Sequence, residues 1–306
     1  VPVLDPVFLS YAQTGEDVVL WRALGSVEAG RYVEIGANHP SEMSVTRGFY
    51  ERGWSGITVE PVPAFAEMHL AERPRDTLVQ AAITDADVPT VTLHEISGTG
   101  LSTLVDEVSD RHDAAGWEHQ DIEVAARRLD DVLAEHLTPQ DAIHFMTVDV
   151  EGAEARVLAS IDLGVWRPWV LVVEATSPLS ASQTHRDWED AVLAAGYQFC
   201  LFDGLSRFYV ADEHAAELAE KLSYPACPHD NYDTRAARDL RTERAELLGE
   251  VLRWRALALE GWAQRAAGGA TSEEAEAIRR ELEAMRSTIS WRVTAPLRAL
   301  RGRASR

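Results

Sequence analysis

Short runs of β-branched and aromatic residues, each closing near an acid, a glycine or a proline, recur from about Tyr32 to Val210 with helix-like stretches between them. RYVEIGA, GITVEP, TLVQAAI, IHFMTVDV, WVLVVEA and GYQFCLF are the clearest. Strand runs that alternate with helical segments predict a parallel sheet with helices on both faces, an α/β fold. WVLVV is apolar at every position rather than at alternate ones, so it belongs in the middle of such a sheet, buried from both sides. The last pair differs. Only DGLS separates YQFCLF from RFYVA, and so short a turn-rich link predicts an antiparallel hairpin at the sheet edge.

A chain of 306 residues is long enough for one sizeable core and an appendage. Beyond about Asp233 the strand signals stop and Arg, Ala, Glu and Leu take over, which predicts a main domain over 1–233 and a helical tail over 234–306. AGGAT breaks the tail into two helices, the second with Ser272 as N-cap ahead of the acidic first turn Glu273–Glu276. Ile278, Leu282, Met285, Ile289 and Val293 then make one apolar stripe, the pattern of a short coiled-coil seam. The net charge of −21 is uneven, because 235–306 holds 15 Arg against 10 acids and the remainder carries −26. So acidic a main domain repels phosphate and disfavours nucleic acid as a partner. No apolar run approaches the roughly 20 residues of a membrane span. No basic-then-apolar leader opens the chain, and Cys200 and Cys227 lack CxxC spacing, so a reducing, cytoplasmic setting is expected.

Two strand ends carry recognisable chemistry. In YVEIGANHP, Glu34, Gly36 and Asn38 follow a buried strand where open α/β sheets bind their ligands, and glycine lets backbone approach a ligand closely. The pattern is not GxGxxG, and an ordinary strand-to-helix turn reads equally well from these residues alone. Glu60 closes the next strand, GITVEP, about 25 residues on, where an acid can accept hydrogen bonds from both ribose hydroxyls.

Taken in order, YAQTGEDVVL, YVEIGANHPSEMSVTRGFYERGWSGITVEPVP, STL, TVDVEGAEARVL and RPWVLVVEA, with a late GY before FD, resemble the FkbM family of S-adenosylmethionine-dependent O-methyltransferases. The resemblance covers roughly 10–210 and extends as far as HDNYD near 233. It implies a class I, Rossmann-like methyltransferase fold with the C-terminal hairpin. Glu34, Gly36 and Asn38 would then line the methionine end of S-adenosylmethionine, Glu60 would hold its ribose and Ala82 would lie near its adenine. Gln13 and Glu16 would close over it from the N-terminal segment.

The same resemblance places FMTVDVEGAE at the fourth strand end, facing the acceptor. Asp149 there and Glu174 at the next strand end would lie side by side. Two such carboxylates suit Mg²⁺, and the metal-free alternative has Asp149 or Glu151 take the acceptor's proton directly. Glu154 is expected to serve the start of the following helix. His229, beside Asp230 in CPHDNYD, is a further catalytic candidate, since a late loop in this family returns toward the acceptor. GTGLSTL, Gly98 to Leu104, reads as an acceptor lid or as an ordinary surface loop.

The last twenty residues, STISWRVTAPLRALRGRASR, are similar to tails of bacterial glycosyltransferases that build surface polysaccharides. With six Arg from Arg286 onward and no acid, the tail would self-associate, meet a glycosyltransferase or lie on the inner membrane face. The expected function is therefore O-methylation of a sugar hydroxyl in a cell-surface polysaccharide or glycolipid. Methylation of a secondary metabolite, such as a macrolide or its sugar, and a non-catalytic scaffold in glycan assembly stand as alternatives.

Overall fold

The computed structural model describes residues 7–267 and 272–288. Seven strands form its central sheet: β1 (Arg31–Ile35), β2 (Ser55–Val59), β3 (Thr77–Val79), β4 (Phe145–Val148), β5 (Val170–Glu174), β6 (Tyr197–Phe202) and β7 (Ser206–Ala211). Their order is β6-β7-β5-β4-β1-β2-β3. β1 to β5 pair in parallel, whereas β7 runs antiparallel to both neighbours. The sheet and the edge hairpin are those the strand runs predicted.

Alternate residues of the inner strands feed two cores. Val33, Ile35, Met146, Val148, Leu171 and Val173 join one layer with the helix Leu129–His136. Tyr32, Phe145, Val170, Val172 and Phe208 join the other with the helix Glu16–Leu24. Both faces of these strands are therefore covered, which is why the runs are continuously apolar.

TLVQAAI does not stay one strand. Its first half is β3, while Ala82–Ile83 leaves for a three-stranded sheet, pairing in parallel with Gln120–Arg127. Thr90–Glu95 completes that sheet antiparallel to Gln120–Arg127. Phe8–Ser10 pairs in parallel with Tyr232–Thr234, so the segment near 233 returns to the N-terminal side.

A buried cation fastens the sheet beneath β1. Arg73 is only 1% exposed. Its Nε donates to Asp76 at 2.8 Å, and Nη2 donates to the Tyr32 hydroxyl at 2.9 Å and to Thr46 Oγ1 at 2.6 Å. Nη1 lies 3.6 Å from Glu34 Oε2. Asp76 in turn accepts the Gly56 N–H at 2.9 Å, so one network joins β1, β2 and the loop ahead of β3.

The chain divides into two units, Val1–Arg238 and Asp239–Arg306. The helix Arg235–Ala267 exposes Leu247, Leu248, Val251, Leu252 and Trp254, and Ser272–Ser287 forms a second helix. Leu282 and Met285 of the predicted stripe are exposed there. Ile289, Val293 and the basic tail lie outside the described residues. Among the described residues no helix is long and apolar enough to cross a membrane.

Removing the Arg73 guanidinium would leave buried carboxylates without their cation, a loss worth about 3–5 kcal/mol. Arg73→Ala is expected to lower the unfolding free energy by that amount in urea titration. A loss below about 1 kcal/mol, the size of an ordinary substitution, would show the network to be dispensable.

Candidate active site

A cavity of about 660 Å³ opens at the carboxyl ends of β1, β2, β4 and β5. That volume is of small-ligand size. Glu34, Gly36, Asn38, Glu60, Asp149, Glu151 and Glu174 all line it, together with Gln13 and Ala82. Parallel pairing sets this convergence: β1 lies between β2 and β4, and β5 follows β4.

Gly36 is required by contact as well as by conformation. Its φ is +80°, and a Cβ there would sit 1.7 Å from the Asp149 carbonyl oxygen. Only glycine lets the β1 and β4 ends approach so closely. The next turn is held from β2: Glu60 accepts the Asn38 N–H at 2.7 Å on Oε2 and the Val62 N–H at 2.7 Å on Oε1. Each oxygen keeps a second acceptor site for a ligand hydroxyl. His69 is pulled down to about 4 by burial, so it is neutral at pH 7, and its Nε2 donates to the Asn38 carbonyl at 2.9 Å. Glu34 divides its attention between the cavity and Arg73, accepting the Thr46 hydroxyl at 2.6 Å.

The β4 and β5 ends of the cavity carry a cluster of acids. Asp149 and Glu174 are hydrogen-bonded to each other. Glu174 is buried and pushed up to about 12, first by burial and then by the charges of Asp149 and Glu151. It therefore keeps its proton and donates it to Asp149, while its Oε2 has no partner. Burial raises Asp149 as well, although its side chain is accessible to water from the cavity. The two facts agree if the carboxylate faces a water-accessible space enclosed by protein.

Glu151 has a left-handed backbone, φ 52°, and is raised to about 9 by burial, Asp149 and Glu154. Glu154 turns inward and accepts the Gly152 N–H at 2.9 Å and the Val150 N–H at 3.3 Å. It shapes the β4 loop and is absent from the cavity wall. Among the described residues the wall carries six acids, Glu42 being the sixth, and no Arg, Lys or His. Such a cavity favours a cationic ligand.

The Gly98–Leu104 segment, all but Thr103, forms another wall. A Cβ on Gly100 would lie 2.5 Å from the Asn38 amide nitrogen, and the Thr103 hydroxyl donates to the Glu151 carbonyl at 2.7 Å. Thr176–Ser180, after β5, completes the enclosure, with Leu179 exposed and in a left-handed conformation. TSPLS carries no spacing that marks this loop in the sequence.

Two expected residues are elsewhere. Glu16 is buried at the start of its own helix, where it accepts the Thr14 N–H at 2.9 Å, and it does not line the cavity. His229 does not line the cavity either. It is exposed on a short turn, Pro228–Asp230, that Arg22 anchors by pairing with Asp230 at 3.0 Å. Asp230 also accepts the Cys227 N–H at 2.8 Å, so that pair serves the turn.

Residues 34–199, just over half of the chain and running from within β1 to within β6, match the family described as "Methyltransferase FkbM domain". The chain belongs to the FkbM methyltransferase family. A TehB-like SAM-dependent methyltransferase from Corynebacterium glutamicum is similar in structure at 7% identity, with 64% of this chain and 87% of that one covered and a TM-score of 0.35. A SAM-dependent methyltransferase from Geobacter sulfurreducens in complex with S-adenosyl-L-homocysteine is similar at 12% identity, with 65% and 69% covered and a TM-score of 0.30. No curated protein matches the sequence significantly.

The methyl donor of this FkbM methyltransferase is S-adenosylmethionine, and the cavity fits it. The Gly36 turn leaves backbone open to a ligand, Glu60 has acceptor capacity for two hydroxyls, and the acids suit a sulfonium and an ammonium group. A divalent cation is also compatible with the Asp149–Glu174 pair, given the unpartnered Glu174 Oε2.

Burial raises Glu34, Glu60 and Glu154 to about 7 in the folded chain, against about 4.5 unfolded. The folded state then binds more protons than the unfolded one between those values. Stability from these groups is complete below about 4.5 and is lost as pH passes 7. His69 acts oppositely, but only below 6.5. The urea midpoint should therefore fall between pH 6.5 and pH 8. A midpoint that rises or stays level over that range would contradict it.

Proposed function

We propose that this FkbM methyltransferase methylates a hydroxyl oxygen, on a sugar of a cell-surface polysaccharide or glycolipid. The observation that carries the reading is the Asp149–Glu174 pair at adjacent strand ends on the cavity wall. A sulfonium methyl is already activated, so the enzyme's task is alignment and removal of the acceptor's proton. Glu174 holds one face of the Asp149 carboxylate through its own proton. The free face of Asp149 can then accept the hydroxyl proton as the O–CH₃ bond forms and the S–CH₃ bonding pair returns to sulfur. Glu151, with a proton of its own near neutral pH, is placed to bind the acceptor rather than to deprotonate it.

Support for a polyol comes from the wall around this pair. Thr176, Ser177 and Ser180 line the cavity along with the carboxyl groups, a hydrogen-bonding surface for several hydroxyls, and the acids would repel an anionic acceptor. The likeness of the tail to those of polysaccharide glycosyltransferases points the same way. Asp149 and Glu174 would also hold Mg²⁺, which when bound acidifies a coordinated hydroxyl.

Incubation with methyl-labelled S-adenosylmethionine and a panel of hydroxyl-bearing glycans tests the proposal. Transfer to one sugar oxygen is expected, and Asp149→Asn should lower kcat by about 10²–10⁴-fold while cofactor binding persists. An Asp149→Asn enzyme that matches the parent rate would refute the assigned base, and label found on nitrogen would refute O-methylation. Exhaustive chelation separates the two forms of the site: loss of activity indicates the metal-assisted form, unchanged activity the direct base.

A further inference from the structure

A second cluster of ligating side chains lies on the three-stranded sheet and belongs to no wall of the cavity. His94 on Thr90–Glu95 faces Asp121 on Gln120–Arg127, the two being directly paired in the antiparallel register. His119 immediately precedes the second of these strands. One donor atom from each of the three lies within 4.8 Å of the others. His94 Nδ1 is 2.7 Å from Asp121 Oδ1, and His119 Nε2 is 3.5 Å from the same oxygen. The two imidazoles meet edge to face at 5.2 Å.

The far side of each ring is what distinguishes the cluster from a chance meeting of polar groups. His94 Nε2 lies 3.0 Å from Asp106 Oδ1, and His119 Nδ1 lies 2.8 Å from Asp113 Oδ1. Asp106 begins the helix Asp106–Ala114 and Asp113 stands near its end. A neutral imidazole has one N–H and one lone pair. If each ring donates outward to its helix carboxylate, both inner lone pairs and an Asp121 oxygen converge on one point. Carboxylate–histidine pairs of this kind fix the tautomer and the ring orientation of metal-binding histidines.

We propose that His94 Nδ1, His119 Nε2 and Asp121 Oδ1 form a divalent transition-metal site, of a composition suited to zinc, with Asp106 and Asp113 as its outer carboxylates. Two imidazoles and one carboxylate are a borderline-soft donor set that zinc accepts, with water completing a tetrahedron. Ligand bonds of about 2.0–2.2 Å imply donor separations of roughly 3.3 Å. The observed 2.7 and 3.5 Å bracket that value, and the two ring nitrogens would close from within 4.8 Å by side-chain rotation.

The site would act on the cavity from outside it. The backbone of His94 is bridged to Thr103 in both directions, at 2.9 and 3.2 Å, and Thr103 holds the Glu151 carbonyl. Metal at His94 would therefore fasten the sheet to the helix Asp106–Ala114 on both sides of the Gly98–Leu104 wall. The role is one of ordering that wall, separate from any cation held by Asp149 and Glu174.

Titration calorimetry of the full chain with zinc chloride, and the visible absorption of cobalt(II) added in its place, test the site. The expected result is zinc binding in the parent and one equivalent in the Asp149→Asn variant, where the Asp149–Glu174 pair is broken. His94→Ala and His119→Ala should each weaken binding by at least about tenfold, and Asp113→Asn by about 10–100-fold. Circular dichroism identifies any variant that has not folded. Cobalt bound at this site should show a tetrahedral band that His119→Ala abolishes. No zinc binding by the parent would overturn the proposal. So would binding to the Asp149→Asn protein that survives both histidine substitutions, or binding that disappears with Asp149→Asn alone.

Discussion

The architecture turns on the reversal of strand order at β1. With β2 on one side and β4 on the other, the loops leaving β1 and β4 diverge, and a crevice opens over the carboxyl ends between them. The crevice can be this narrow only because residue 36 has no side chain: a Cβ there would meet the Asp149 carbonyl. From that contact the rest follows. Glu60 reaches across from β2 to hold the Asn38 turn, Asp149 faces the same space from β4, and Glu174 adjoins it from β5. A ligand spanning the crevice meets the topological switch point and the acids at once.

Charge is handled differently on the two sides of β1. Below the sheet, Asp76 and Glu34 share a buried arginine, which offsets part of the burial that raises Glu34. Over the strand ends no basic side chain lines the cavity among the described residues, and the acids respond by holding protons. Glu174 and Glu151 are each kept protonated near neutral pH by burial and by their neighbours' charge. Such a site is incomplete without a cation. A sulfonium donor supplies one, and a divalent ion at Asp149 and Glu174 would supply another. The acidity that repels phosphate in the whole domain thus becomes local at the point where chemistry is expected.

Much of this frame could be read before the fold was seen. WVLVV is apolar at successive positions and IHFMTV largely so because both faces of β4 and β5 are covered, and DGLS marked the hairpin. The three-stranded sheet was less legible. QDIEVAAR has many exposed positions, so its pattern is weak, and TLVQAAI gives no sign that its halves join different sheets. At the site, residues at strand ends were visible because Gly36, Glu60 and Asp149 stop apolar runs. Residues whose roles depend on distant partners were not. Asp230 looked available beside His229, yet Arg22 takes it across most of the domain's sequence. Glu16 looked like a cofactor contact, yet its carboxylate satisfies the start of its own helix. The pairing of His94 and His119 with Asp121 likewise required the register of two strands that sequence periodicity did not reveal.

Protonated acids in the crevice await a cation. Calorimetric titration with S-adenosylmethionine, repeated at pH 7 in buffers of different ionisation enthalpy, measures this directly as the number of protons exchanged on binding. A cation brought beside Glu151 and the Asp149–Glu174 pair lowers their affinity for protons, so binding should release protons to the buffer. Proton uptake, or binding whose heat is the same in every buffer, would contradict the account.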